Sequence, residues 1–208
     1  MEKPLNIIFL GLSGSGKGTQ AQLLRDFFQR RGIIMNWVST GDLCRGLAKE
    51  DTDLGHHMRE TLDEGKFAPS AVLVGLWIAY LRSNVQEYEG IISDGSPRKL
   101  PEAKLMDELF TYMSRTETLR VISIRITPTE IRKRLIEGRK RFDDTPERVE
   151  SRIQEYEKFV VPVIDYYRDQ DRLIEINGDQ SVEKVHEDII KALNLEARLP
   201  SGSRASKF

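Results

Sequence analysis

Cysteine occurs once in these 208 residues, as Cys44. No disulfide can form within the chain, and a cysteine-rich zinc centre is excluded. Histidine is nearly as scarce, at three residues, and two of them are the neighbours His56 and His57. Adjacent helix positions do not face each other, so this pair reads as a solvated surface pair rather than as metal ligands. No apolar run approaches the length that spans a membrane. The opening MEKPLNII lacks the basic-then-apolar layout of a signal peptide. A formal net charge of −1 gives no global electrostatic case for nucleic-acid binding, and the basic run GRKR at 138–141 is followed closely by Asp143 and Asp144. Internal repeats and low-complexity segments are absent. An intracellular, reducing, cytoplasmic setting is the simplest reading, with neither membrane nor nucleic acid as partner.

What is present suits one domain. The sequence is 39% hydrophobic and 31% charged, enough for a core and a solvated surface. Short apolar runs at 6–10, 36–38, 91–93, 121–126 and 173–176 read as strands. Amphipathic patterns at 18–31, 70–84, 101–114, 128–136, 146–168 and 182–193 read as helices; in the first, Ala21, Leu24, Phe27 and Phe28 share a face. Pro162 should kink the helix at 146–168. Strands alternating with helices predict an α/β fold, with a five-stranded, mainly parallel sheet covered on both faces. The domain is expected to occupy 1–195. The polar tail 196–208 is expected to be disordered.

The segment GLSGSGKGTQ, at 11–20, follows the first strand directly. Strand, glycine loop and helix together make a phosphate-binding layout. Glycines let successive N–H groups turn toward one anion, and the following helix adds its positive end. Lys17 supplies a compact charge for terminal phosphates. A glycine-rich turn that binds nothing would not account for a lysine between two glycines at a helix start. The general pattern has Ser or Thr after the lysine. Here Gly18 stands there, and the hydroxyl comes one place later, at Thr19. Asp94 ends an apolar strand and suits a magnesium contact through water; capping the turn before Gly95 is the equal alternative.

The loop resembles the adenylate kinase version, and further blocks keep the order and approximate spacing of that family: STGDLCRG at 39–46, GKFAPS at 65–70, SDGSPR at 93–98, the pattern from Arg152 through PVI to YY at 167, and INGDQSV at 176–182. The chain thus resembles the nucleoside monophosphate kinases, and adenylate kinase most. The resemblance implies a P-loop kinase-like three-layer sandwich with a helical acceptor-binding insertion at 39–70 and a short lid at 137–146. It implies ATP and AMP as substrates, magnesium as cofactor, no zinc, and a monomer. By resemblance, Gly14, Ser15, Gly16, Lys17, Gly18, Thr19, Arg139 and Gln180 bind ATP. Thr40, Arg45, Lys66, Phe67, Ala68, Gly95, Arg98, Glu102, Arg141 and Arg152 bind the monophosphate. Lys17, Arg98, Arg139, Arg141 and Arg152 serve catalysis, because guanidinium forks bind phosphate oxygens bidentately. With so short a lid, closure must rest on arginine–phosphate contacts.

Two positions depart from the family. Ser96 replaces the usual aromatic after the glycine, and Glu102 stands where adenylate kinases carry a base-reading glutamine. An ionised Glu102 can only accept, which matches guanine better than adenine. It could also be protonated in a closed site or point to solvent. Thr40, in STGD, and the resemblance as a whole favour AMP. Trp37 and Trp77 read as packing residues, and nothing near Cys44 suggests a nucleophile. A nucleotide-binding switch would need the loop and a magnesium ligand only; the separate acceptor motifs favour an enzyme.

Overall fold

The computed structural model describes residues 3–139 and 145–198. Its centre is strand β1 (Asn6–Leu10), in which all five residues are buried. Ile7 and Phe9 face one side of the sheet, Ile8 and Leu10 the other, so a strand covered on both faces reads as one apolar run. The remaining strands are β2 (Met35–Ser39), β3 (Gly90–Asp94), β4 (Leu119–Arg125) and β5 (Leu173–Asn177), arranged in the order β2-β3-β1-β4-β5. All four pairings are parallel, where the sequence predicted a mainly parallel sheet. The chain leaves β1 toward one side and later crosses to the other, which makes the C-terminal ends of β1 and β3 a switch point. Phe9 is in register with Asp94 there.

Helices α1 (Lys17–Gln29) and α9 (Val182–Ala192) cover one face. Ala21, Leu24, Phe27 and Phe28 do share a buried face, against Ile122, Ile124, Val185 and Ile189. Each of the larger side chains contributes roughly 1.5–3 kcal/mol through its removal from water. Helices α4 (Ser70–Asn84), α5 (Leu100–Tyr112) and α8 (Val161–Arg168) cover the other face with Trp77, Phe110 and Tyr167. Segment 39–70 contains α2 (Thr40–Leu47) and α3 (Asp53–Asp63), capped by the Ser39 and Thr52 hydroxyls.

Three expectations are modified. The helix predicted at 146–168 is α7 (Pro146–Glu155), a π-helical turn (Tyr156–Val160) and α8. Pro162 has no N–H to give the ladder, and the irregularity falls on the turn just before it. The pattern at 128–136 is α6 (Pro128–Arg132) running into a second π-helical turn, Lys133–Arg139. A last short helix, α10 (Leu195–Arg198), extends into the expected tail because Leu195 is buried against α9's side of the core. Residues 199–208, the rest of that tail, lie outside the described residues.

Candidate active site

The phosphate loop lies between β1 and α1, at the C-terminal edge of the sheet. Its backbone is shaped by sterics. Gly14 has φ +88°, and an added Cβ would come within 2.6 Å of Leu135. Leu135 packs in a small cluster with Leu12, Ile131, Val149 and Ile153. The positive φ calls for glycine at this position, and the close approach of Leu135 reinforces it. Ser15 N–H donates to Leu12 O at 3.0 Å, and the buried Ser15 Oγ has no partner among the described residues. Lys17 Nζ donates to Gly11 O at 2.7 Å and Leu12 O at 2.9 Å, so the ammonium lies folded over the loop. Gly16 precedes α1 as its N-cap, and Thr19 is exposed on the first turn.

The residues nominated for the acceptor lie beside this loop. Thr40 Oγ1 donates to Ser96 Oγ at 2.7 Å, joining the start of α2 to the turn after β3. Arg45 pairs with Asp42 at 2.6 Å and is half-exposed. Arg98 Nε donates to Gly95 O at 2.7 Å, and its guanidinium lies 4.9 Å from the Phe67 ring centroid. Lys66 is exposed and pairs with Glu64, whereas Ala68 is buried. Glu102 is 1% exposed, so it does not point to solvent as one alternative had it. Its Oε2 accepts from Arg98 N–H at 2.7 Å and Lys99 N–H at 3.3 Å, and its Oε1 from the Ser70 hydroxyl at 3.1 Å.

Asp94 is where the charges converge. Burial pushes its carboxyl above the ordinary range, Lys17, Arg98 and Arg45 pull against this, and Asp42 pushes with it. Cations from three separate motifs therefore act on one half-buried carboxylate. That carboxylate fits a hydrated divalent cation. Gly18 faces it, and a Cβ there would come within 3.2 Å of Asp94 Oδ2, so the missing side chain leaves room beside the acid. Among the described residues, no group of three His, Cys, Asp or Glu side chains is placed to hold a metal on its own. A single carboxylate suits magnesium, which keeps most of its waters.

Other nominated residues lie further out. Gln180 Nε2 donates to Asp188 Oδ2 at 2.8 Å, at the start of α9. Arg152 is half-buried on α7. The side chain of Arg139 and the whole of Arg141 lie outside the described residues, as do residues 140–144 of the expected lid. Cys44 is buried, which pushes its thiol up although Arg98 and Arg45 pull it down. His56 and His57 are exposed beside Asp51 and Glu60. Trp77 is edge-on to Phe110, and Trp37 lies under Arg25. A cleft of about 340 Å³ at the opposite end of β2, lined by Arg25, Gln29, Ile34 and Met35, holds none of the nominated residues. Sequence reasoning passed over Asp42, although its spacing from Arg45 is that of facing helix positions. It also passed over Ser70 and Lys99, whose contacts with distant segments have no local signal.

The adenylate kinase family model matches residues 9–172. An adenylate kinase from Parabacteroides distasonis is 31% identical over 193 residues, covering 91% of this chain and 98% of its own. Adenylate kinase 1 from a Nostoc species is 36% identical over 179 residues, covering 86% and 93%. An adenylate kinase from Corynebacterium urealyticum is 33% identical over 193 residues, covering 91% and 99%. With the parallel sheet, the phosphate loop and the acceptor motifs in place, these matches show that the chain belongs to the adenylate kinase family of phosphotransferases.

Proposed function

We propose that this chain catalyses reversible, magnesium-dependent phosphoryl transfer from ATP to AMP, giving two ADP, as a cytoplasmic monomer without zinc. The observation that supports it most is that the Lys17 loop lies against the end of β3, where a Cβ on Gly18 would come within 3.2 Å of Asp94 Oδ2 and where Arg98 Nε donates to Gly95 O, with α2 tied to the same turn through Thr40 and Ser96. A nucleotide-binding switch has no use for Arg45 and Arg98 there.

In this reading the N–H groups of 14–19 and the start of α1 hold the donor's phosphates. Lys17 exchanges its carbonyl partners for phosphate oxygens, so its charge is fixed before the reaction begins. Arg45 and Arg98 hold the acceptor's phosphate, with Thr40, Lys66, Phe67, Ala68 and Gly95 around the acceptor. Segment 39–70 serves as the acceptor flap. Arg139, Arg141 and Arg152 approach the transferring group from the lid side and exclude water with it. Gln180 lies toward the donor. Asp94 would hold magnesium through water; when bound, the ion neutralises charge on the phosphates. The protein's share of catalysis is positioning and electrostatic stabilisation, as phosphoryl transfer requires.

A coupled assay with ATP as donor and AMP, GMP, CMP and UMP as acceptors tests this directly. AMP is expected to give the highest kcat/KM. ADP formation with none of them, or a preference for GMP, would overturn the reading.

A further inference from the structure

We propose that Glu102 is a positioning residue that clasps the hinge of the acceptor flap, and that it does not read the acceptor base. The inference rests on the reading of 39–70 as that flap.

The geometry starts from a carboxylate that is almost wholly buried. Three donors already converge on it: the backbone N–H groups of Arg98 and Lys99 on Oε2, and the Ser70 hydroxyl on Oε1. Two of these bonds fix the chain where Arg98 leaves the turn after β3 and α5 begins. The third reaches 32 residues back, to the first residue of α4, where the flap ends. Lys99 grips the same hinge from another direction, its Nζ donating to Ala68 O at 3.1 Å. Residues 68 and 70 are therefore both tied to the start of α5. Glu102 acts on the substrate at second hand, through the backbone of Arg98 and the seat of the flap. Reading a base would have to compete with these buried bonds, which already hold both carboxylate oxygens toward the backbone of α5's start and Ser70. Base selection then falls to other groups of the acceptor site, and the Glu-for-Gln departure from the family leaves it unaltered.

The test is acceptor kinetics with AMP and with GMP at saturating ATP, on the full chain. Glu102→Ala should lower kcat/KM by the same factor for both acceptors, about 10-fold, through the acceptor KM, with the KM for ATP within about twofold of wild type. Glu102→Gln keeps an oxygen for the two N–H groups and gains an amide for Ser70 Oγ. It should recover most of that loss for both acceptors. Ser70→Ala should show a smaller loss, and Ser70→Ala combined with Glu102→Ala should fall short of the summed effects. A change of about 10-fold or more in the AMP-to-GMP ratio of Glu102→Gln would overturn the proposal, because only a base reader sorts acceptors that way. Hydrogen exchange of 66–70 in the ligand-free protein gives a second readout. It should quicken in Glu102→Ala and Ser70→Ala and be restored in Glu102→Gln; unchanged exchange in all three would also overturn the clasp. If the wild type phosphorylates no monophosphate, the functional reading has failed, and the exchange measurement still decides the clasp.

Discussion

At the N-terminal end of the sheet, Arg115 is buried and donates to Asn6 Oδ1 and to the carbonyls of Gln86, Glu87 and Glu89. Beside it Glu89, also buried, accepts from Asn36 Nδ2 and Gln86 N–H. At the C-terminal end the cations are arranged differently. Arg45 is half-exposed beside an aspartate, Arg98 lies over an aromatic face, and Lys17 is laid over its own loop. The first arginine has fixed, neutral acceptors that join the starts of β1 and β3. The others lie about the phosphate loop and the end of β3, where, in the proposed function, phosphates replace their present partners. Basic residues and backbone carbonyls occur at both ends; what separates structure from chemistry is whether the partnership lies in the interior or where a ligand can displace it.

Substitutions at the two ends should therefore fail in different ways. Lys17→Met should lower kcat by about 10³-fold or more while the thermal midpoint stays near wild type, because the lysine's charge matters to the transferring phosphates rather than to the fold. Arg115→Met should do the reverse. It leaves buried carbonyls without donors, so urea unfolding should show a loss of about 3 kcal/mol, with the KM values for both nucleotides unchanged. Arg98→Lys keeps the charge and loses the fork and the stack on Phe67. A drop of about 30-fold in kcat/KM for AMP is expected, with a much smaller change in the KM for ATP.

The smallest effect concerns Asp107, which accepts from the Tyr166 and Tyr167 hydroxyls and pairs with Arg172 at 3.3 Å. Burial raises its carboxyl above the ordinary value, against the pull of Tyr166 and Arg172. A raised folded-state value means that the fold favours the protonated acid. Its contribution to stability is complete below the unfolded value of 3.8 and is lost as pH rises through the folded value. Wild type should therefore gain on Asp107→Asn, by less than about 1 kcal/mol, as unfolding is measured from pH 7 downward.

How much of this was legible depends on how local its cause is. The strand at 6–10 and the helix at 70–84 match the structure to the residue, because a doubly buried strand and a long apolar helix announce themselves within one segment. Phe27 and Phe28 could be assigned to the core from helical spacing alone. Pro162 signalled a disturbed helix, but the disturbance falls at Tyr156–Val160, ahead of the proline, a position no local pattern marked. The phosphate loop was readable because its glycines, its lysine and the strand before it lie within a dozen residues. Glu102 was not. Its usual capping signature needs Ser or Thr three places earlier, and Lys99 stands there, while its other partner, Ser70, is far away in sequence. Family resemblance suggested a base contact; burial and hydrogen bonds suggest a clasp. The roles assigned to Arg139 and Arg141 remain expectations from sequence, because the parts that matter lie outside the described residues.

The contrast between the two ends is tested most directly by thermal denaturation with and without a bisubstrate mimic, two adenosines joined by a phosphate chain, in the presence of magnesium. At about one hundred times its dissociation constant the ligand should stabilise the wild type by about 2.7 kcal/mol, an upward shift of roughly 5–10 °C for a domain of this size. Arg115→Met should start lower and show the full shift, whereas Lys17→Met should start near wild type and lose most of it. A Lys17→Met protein that keeps the wild-type shift, or an Arg115→Met protein that loses it, would contradict the division of labour between the two ends of the sheet.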